Sequence, residues 1–243
     1  MGRIICCGLG PGDPDLMSVR ANREIRAATQ IAYFRKKGRP GQARRIVEGI
    51  LPRDVSEYPM EYPVTTELAF DSDEYARLLA GFYDEWADRL EELSRAENVI
   101  VLCEGDPFFY GSFMHLYSRL QGRAEVDVVA GIPGMAGCWN VVGQPIALGD
   151  VVMTVLVGTL PEDELHRRVN NEDALVIMKT GRNLAKIRRA LQAAGRLDEA
   201  WLIERGTMPG ERVARLKEIE PTDCPYFAIV LVHGRGRRRE FCE

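Results

Sequence analysis

Two glycine-rich turns carry the spacing that first suggests chemistry in this chain: Gly8-Leu9-Gly10-Pro11-Gly12-Asp13-Pro14 and Glu104-Gly105-Asp106-Pro107-Phe108-Phe109-Tyr110-Gly111. Each follows an apolar run, Ile4-Ile5-Cys6-Cys7 in the first case and Val99-Ile100-Val101-Leu102-Cys103 in the second. Both turns are therefore expected at the carboxyl ends of parallel strands, where open α/β sheets bind their ligands. Glycine lets the backbone approach a ligand closely, whereas Pro11 fixes one φ and removes one amide donor, so the first turn makes a poor phosphate cradle. A dinucleotide fingerprint needs Gly-x-Gly-x-x-Gly opening a helix. Here the third glycine comes one residue early, which argues against a nicotinamide-dependent dehydrogenase. One such turn is explained equally well as a tight strand-to-helix connection. Two, the second backed by an aromatic cluster, are hard to explain as packing alone.

The elements that must position these turns alternate between strand-like and helical patterns, which argues for an α/β fold. Asp13-Pro14 suits a turn or helix start, and Ala21, Ile25 and Ala28 mark one face of a helix over 18–28, before a short strand over 31–33. The clearest helix spans 73–96: Tyr75, Leu78, Leu79, Phe82, Trp86, Leu90 and Leu93 recur at three- and four-residue steps. Its aromatics are expected in the core. Strands follow at 126–129, 151–157, 174–178, 201–203 and 226–232, with helices at 162–169 and 183–194 between them. The polar turn Gln121-Gly122-Arg123 suggests a boundary, giving an N-terminal domain over 1–124 and a C-terminal domain over 125–243.

Composition sets wide bounds. The 243 residues are 46% hydrophobic, enough for one large core or two small ones, and the net charge of -4 argues against a general nucleic-acid binder. Cys6, Cys7, Cys103, Cys138, Cys224 and Cys242 form no Cys-x-x-Cys pair and read as free, mostly buried thiols of a reducing cytosol. No apolar run reaches the length of a membrane helix and no signal segment opens the chain, so a soluble cytoplasmic protein without a membrane partner is expected. His115, His166 and His233 lack ligand spacing, and no metal site is assigned. The basic tail Arg235-Gly236-Arg237-Arg238-Arg239 looks like a small nucleic-acid patch, although such a terminus is more often frayed and solvated.

Together these segments resemble the S-adenosylmethionine-dependent tetrapyrrole methylases of the cobalamin pathway. The resemblance covers essentially the whole chain: the first turn, the basic loop over 34–45, residues 104–112 and 131–137, then Ile177-Met178-Lys179-Thr180-Gly181-Arg182-Asn183 and Ile203-Glu204-Arg205-Gly206-Thr207-Met208-Pro209-Gly210-Glu211-Arg212. The last two segments are similar to those of the subgroup that methylates C20 of precorrin-2. The resemblance implies two α/β domains of the tetrapyrrole methylase type with a cofactor cleft between them, a homodimer, and a reduced tetrapyrrole as substrate. Carried over position by position, the cofactor contacts fall on Pro11, Glu104, Gly105, Asp106, Phe109, Pro133, Gly134, Met178 and Gly206, with Thr207 as a neighbour. Tyr110, Gly111 and Ser112 extend the set by proximity.

Methyl transfer from a sulfonium is a displacement in which the positive charge of S-adenosylmethionine is lost as S-adenosylhomocysteine forms. The site therefore needs alignment and exclusion of water more than a strong acid. A base is needed only to collect a proton; Glu104 and Tyr110 suit either that task or holding the cofactor, so no catalytic residue is assigned. Asp106 has a second reading as a turn residue bonding its own backbone.

Arg35, Lys36, Lys37, Arg39, Arg44 and Arg45 place six cations and no acid in one stretch. They form either a solvated loop or a docking surface for the acetate and propionate arms of the implied substrate, with Arg35, Lys36 and Lys37 as the binding residues. Arg182 and Lys186 are either further carboxylate contacts or surface charges, and Glu204, Arg205 and Glu211 are candidates for an ion pair shaping the last loop.

Two positions depart from the family pattern: Ala130-Gly131 stands where many members have Pro-Gly, with the proline displaced to Pro133, and Phe34 stands where uroporphyrinogen-methylating relatives carry an aspartate. The alternatives are a cobalt-factor II C20-methyltransferase, another tetrapyrrole or RNA methylase of this fold, and a non-catalytic tetrapyrrole carrier. The whole-chain pattern, including Tyr58-Pro59-Met60-Glu61-Tyr62-Pro63, resembles more the branch that acts on the metal-free substrate.

Overall fold

The computed structural model describes residues 2–65, 67–69, 71–220 and 224–234. It divides the chain into two compact units, Met1–Gly134 and Met135–Glu243. Cys242 and the basic tail at 235–239 lie outside the described residues.

The first unit is a parallel sheet built from β1 (Ile4–Gly8), β2 (Gln30–Lys36), β3 (Ser56–Tyr62), β4 (Val99–Cys103) and β5 (Val126–Val129), in the order β3-β2-β4-β1-β5. Strands β1 and β4 are buried along their whole length, as an apolar run without alternation requires when helices cover both faces. Successive side chains of β1 divide between two cores. Ile4 and Cys6 pack with Phe82, Trp86 and Leu90 of α3 (Asp73–Ser94) and with Phe113, Leu116 and Leu120 of α4 (Phe113–Leu120). Ile5 and Cys7 pack with Ala21 and Ile25 of α1 (Val19–Arg26) and with Ala43 and Ile46 of α2 (Gln42–Ile46).

Helix starts follow local chemistry. The Ser18 and Ser72 hydroxyls accept from the amides of Ala21 and Tyr75 at 3.1 and 3.2 Å, each satisfying one orphan donor of a first turn. The sheet also shows why residues 125–134, which sequence patterning assigned to the second half, fold with the first. β5 pairs with β1 along Ile4–Cys7, and a strand belongs to the sheet that satisfies its backbone.

In the second unit, α5 (Gly134–Val142) leads into β6 (Met153–Val157), α6 (Glu162–Asn171), β7 (Ala174–Met178), α7 (Leu184–Ala193), β8 (Ala200–Glu204), β9 (Arg212–Arg215) and β10 (Ala228–Val232), with sheet order β6-β7-β10-β8-β9. Only β6 and β7 are parallel; β10 runs antiparallel to β7 and β8, and β8 to β9. The change has a simple cause. Helices α6 and α7 separate the earlier strands, whereas the described residues of the segments joining β8, β9 and β10 contain no α-helix to make a parallel crossover. Strand β9, four residues with two arginines, has no apolar run to announce it.

Arg196 is buried in this unit, 4% exposed. It donates to the carbonyls of Glu172 at 2.6 Å, Val169 at 3.4 Å and Asp173, and stands 3.5 Å from the Glu199 carboxylate. It thus satisfies carbonyls at the end of α6 that have no partner within the helix. Replacing Arg196 with Met leaves those carbonyls unpaired and is expected to cost about 2–4 kcal/mol of stability. The loss is read as a lower urea midpoint for the unfolding of the second unit, and an unchanged midpoint would show that the guanidinium is dispensable.

Candidate functional site

In the first unit three loops leave the carboxyl ends of adjacent strands: residues 9–14 after β1, 104–112 after β4 and 130–134 after β5. Backbone contacts hold them together. The Gly10 amide donates to the Gly105 carbonyl at 3.3 Å and the Gly105 amide returns the bond to Gly10 at 2.8 Å, while the Leu9 amide donates to the Cys103 carbonyl at 2.9 Å. The approach is so close that a Cβ on Gly8 would lie 2.6 Å from the Gly131 nitrogen, and one on Gly131 would lie 2.0 Å from the Gly105 carbonyl oxygen. Gly10 and Gly105 have φ of +80° and +65°, a region where side chains with a Cβ are strained.

Asp106 closes this arrangement. One carboxylate oxygen accepts from the Phe108 amide at 2.9 Å within its own turn, and the other accepts from the Gly131 amide at 3.0 Å in the third loop. The turn reading of Asp106 therefore accounts for one oxygen, and the second reaches across to another loop.

The rest of the second loop is unusually constrained. Tyr110 holds φ at +55° and is 48% exposed, with the Phe109 ring edge-on to it at 4.9 Å. Gly111 cannot carry a Cβ, which would lie 2.8 Å from the Pro107 carbonyl oxygen. Ser112 stands at the start of α4 yet makes no capping bond. Its hydroxyl pairs with that of Tyr62 on β3, whose ring stacks on Phe34 at 5.6 Å. Pro11 is buried at the first loop, and Pro133 and Gly134 lead into α5, with open space beside Gly134.

Glu104 is directed elsewhere: its carboxylate accepts from the Ala43 amide, at the start of α2, at 2.9 Å. Desolvation raises its pKa above the ordinary carboxylate value, partly offset by hydrogen bonds from its own amide and that of Ala43.

The basic stretch divides into two groups. Arg35 grips Glu61 through Nε and Nη2 at 2.9 and 2.6 Å, Lys36 pairs with Glu67 at 2.8 Å, and Arg44 pairs with Glu57 at 2.9 Å. Lys37, Arg39 and Arg45 are exposed and form no ion pair among the described residues. The acids that sequence proximity did not supply come from β3, which lies beside β2 in register, and from the residues just after it.

In the second unit, Met178 ends β7 and its carbonyl accepts from the Gly158 amide at 2.7 Å. Gly206 sits between two residues with left-handed backbone, Arg205 at φ +51° and Thr207 at φ +66°. A Cβ on Gly206 would meet the Cys138 sulfur at 2.8 Å. Thr207 is β-branched, so its conformation is a true strain. Its amide donates to the Glu211 carboxylate at 2.6 Å, and its hydroxyl oxygen is buried without a hydrogen-bond partner among the described residues.

The expected ion pair among Glu204, Arg205 and Glu211 is not what forms: Glu204 lies 3.6 Å from Arg212, while Glu211 serves the Thr207 amide. The Lys186 ammonium donates to the Leu160 carbonyl at 2.6 Å, and Arg182 is exposed. His115 lies on α4 with its ring stacked on Tyr83 at 4.6 Å. Among the described residues no cluster of three or more His, Cys, Asp or Glu side chains is arranged to hold a metal ion, and no helix is long and apolar enough to cross a membrane.

Sequence reasoning placed the first two loops correctly as glycine-rich strand ends, but it missed Gly8 and Gly131 as their contact points and Tyr62 as the partner of Ser112. The signal for Gly131 was its place just after an apolar run, as in the other two loops.

The family profile described as tetrapyrrole (corrin/porphyrin) methylases matches residues 3–220. The chain is 48% identical over 235 residues to a precorrin-2 C(20)-methyltransferase from Sinorhizobium sp, covering 96% of each protein. It is 27% identical over 243 residues to a cobalt-precorrin-2 C(20)-methyltransferase from Salmonella typhimurium, covering 98% of this chain and 99% of that one. Among solved structures it superposes on a uroporphyrin-III C-methyl transferase from Thermus thermophilus in complex with S-adenosyl homocysteine, with a TM-score of 0.66 at 20% identity, over 96% of this chain and 92% of the other; at that identity the likeness shows the fold. With its family profile matched over nearly its whole length and a relative this similar end to end, the chain belongs to the tetrapyrrole (corrin/porphyrin) methylases.

Proposed function

We propose that this protein transfers a methyl group from S-adenosylmethionine to C20 of precorrin-2, giving precorrin-3A in corrin-ring biosynthesis. The observation that carries this reading is the 48% identity to a precorrin-2 C(20)-methyltransferase over 96% of both chains. Its counterpart that acts on the cobalt-containing substrate is only 27% identical, which favours the metal-free substrate over cobalt-factor II. We further assign the protein to the cytoplasm as a homodimer, in keeping with the family resemblance.

S-adenosylmethionine supplies an electrophilic methyl on a sulfonium, and the chain's residues suit a ligand of that kind. The three loops of the first unit offer main chain bare of side chains at Gly8, Gly105 and Gly131, and Thr207 offers a buried hydroxyl without a hydrogen-bond partner among the described residues. To cofactor binding we assign Pro11, Gly105, Asp106, Phe109, Tyr110, Gly111, Ser112, Pro133 and Gly134 in the first unit, the main chain of Glu104, and Met178, Gly206 and Thr207 in the second. Asp106 fixes the second and third loops relative to each other, so the groups around the ligand are placed before it binds and little ordering is needed at the reaction.

For the substrate's carboxylates the exposed Lys37 and Arg39 carry the free charge, while Arg35 and Lys36 shape the loop through Glu61 and Glu67. An exposed cation that is already paired gives up part of its attraction for a new anion, so the two pairs differ in what they contribute.

The direct test is anaerobic incubation of the protein with S-adenosylmethionine and either metal-free precorrin-2 or cobalt-factor II. The expected result is S-adenosylhomocysteine and a product one methyl heavier from the metal-free substrate. Preference for the cobalt form would move the protein to the other pathway, and binding without turnover would make it a carrier. Gly131→Ala should weaken S-adenosylhomocysteine binding by about tenfold or more, because its Cβ forces the three loops apart at a backbone contact that cannot yield; calorimetry reads the change. The double variant Lys37→Ala with Arg39→Ala should raise the KM for the tetrapyrrole while S-adenosylhomocysteine affinity stays within about twofold, the separation expected of charges that meet only the substrate. Steady-state kinetics showing an unchanged KM would remove this loop from substrate binding.

A further inference from the structure

We propose that Glu104 is a positioning residue: its carboxylate caps the helix at the end of the basic loop and so holds the substrate-docking segment against the glycine-rich loop that follows β4. The proposal rests on the methyl-transfer reading above and deepens it.

The need for such a cap lies in α2. This helix begins at Gln42 behind Gly41, which has no side chain to cap with. A Ser, Thr or Asp at that position is sterically barred, since its Cβ would lie 2.6 Å from the Phe34 carbonyl oxygen and 3.0 Å from the Tyr33 ring. The Ala43 amide is one of the first-turn donors with no partner inside the helix. Ala43 is 1% exposed, so leaving that amide unpaired would carry a desolvation cost. The oxygen that a capping side chain would ordinarily provide comes instead from Glu104, sixty-one residues along the chain, at 2.9 Å.

Glu104 is well suited to this task and poorly suited to others. Although six cations lie within residues 35–45, it forms no ion pair among the described residues; the bonds to its carboxylate come from backbone amides. A desolvated acid kept without a cation is retained for what it accepts from the main chain. Its neighbour Gly105 is bonded twice to Gly10, so Glu104 cannot shift independently of the first two loops. The free cations Lys37 and Arg39 thus lie on a segment anchored at one end by β2 and at the other by this hydrogen bond.

The test compares Glu104→Ala with Glu104→Gln, which keeps an oxygen acceptor. Glu104→Ala is expected to speed amide exchange across residues 41–46 in the ligand-free protein. It should also raise the KM for precorrin-2 about fivefold, the factor that a lost helix cap corresponds to, with S-adenosylhomocysteine affinity changed less than about twofold. Glu104→Gln should restore both. Loss of S-adenosylhomocysteine affinity in both variants would make the side chain a cofactor contact and overturn the proposal. A kcat deficit shared by both, with KM unchanged, would make it an acid or base. Faster exchange with an unaltered KM would reduce the bond to a structural one. Unchanged exchange in Glu104→Ala would overturn the tether whatever the substrate, whereas failure of the unmodified protein to methylate precorrin-2 would count against the functional reading alone.

Discussion

Everything in the first unit that bears on function depends on main chain packing directly against main chain at Gly8, Gly105 and Gly131. Three strands side by side bring their carboxyl ends together, but strands are spaced by their ladder hydrogen bonds, and side chains at their ends would normally keep the following loops apart. Removing Cβ at Gly8 and Gly131 lets the main chain of these positions close onto each other and onto the Gly105 carbonyl, while Gly105 itself supplies the left-handed backbone that turns that carbonyl inward. Closing also satisfies the polar backbone: Gly10 and Gly105 exchange hydrogen bonds, and Asp106 supplies an acceptor to the Gly131 amide. The result is a surface made of backbone in which the second loop is hydrogen-bonded to both of its neighbours.

Around that centre the structure sorts charges by whether they are already satisfied. Parallel pairing of β2 with β3 puts Glu61 opposite Arg35, and the two side chains meet. Glu57 and Glu67 similarly take Arg44 and Lys36. What reads along the chain as an uninterrupted basic segment is in space a network of ion pairs with a few free cations at its tip. Such exposed pairs add little to stability. Their effect is to fix the path of the loop, and with it the places where unpaired charge is presented.

The second unit shows a different device. Its 204–212 loop stores strain, with Arg205 and Thr207 both in left-handed backbone around a glycine that packs on Cys138. The turn is held by Glu211 on the Thr207 amide. Burial, reinforced by the negative charge of Glu211, pushes the Cys138 thiol up to about 12, so it behaves as a small apolar side chain here. A strained β-branched residue persists only where its surroundings enforce it, and such positions cluster at ligand sites.

The sequence by itself determined the elements whose signal is local. The apolar runs at β1, β4 and β7, the three- and four-residue periodicity of α3, and the glycine-rich strand ends could all be read because each depends on residues a few positions apart. The family-like segments identified the class of chemistry in the same way. Tertiary structure alone decided what depends on distant residues meeting: that β5 joins the first sheet, that β9 exists as an edge strand, that Glu61 neutralises Arg35, and that the Glu104 carboxylate reaches the Ala43 amide. A strand's partner and a carboxylate's hydrogen bond are set by which backbone is left unsatisfied nearby. That is a property of the folded chain, with no counterpart in any short stretch of its sequence.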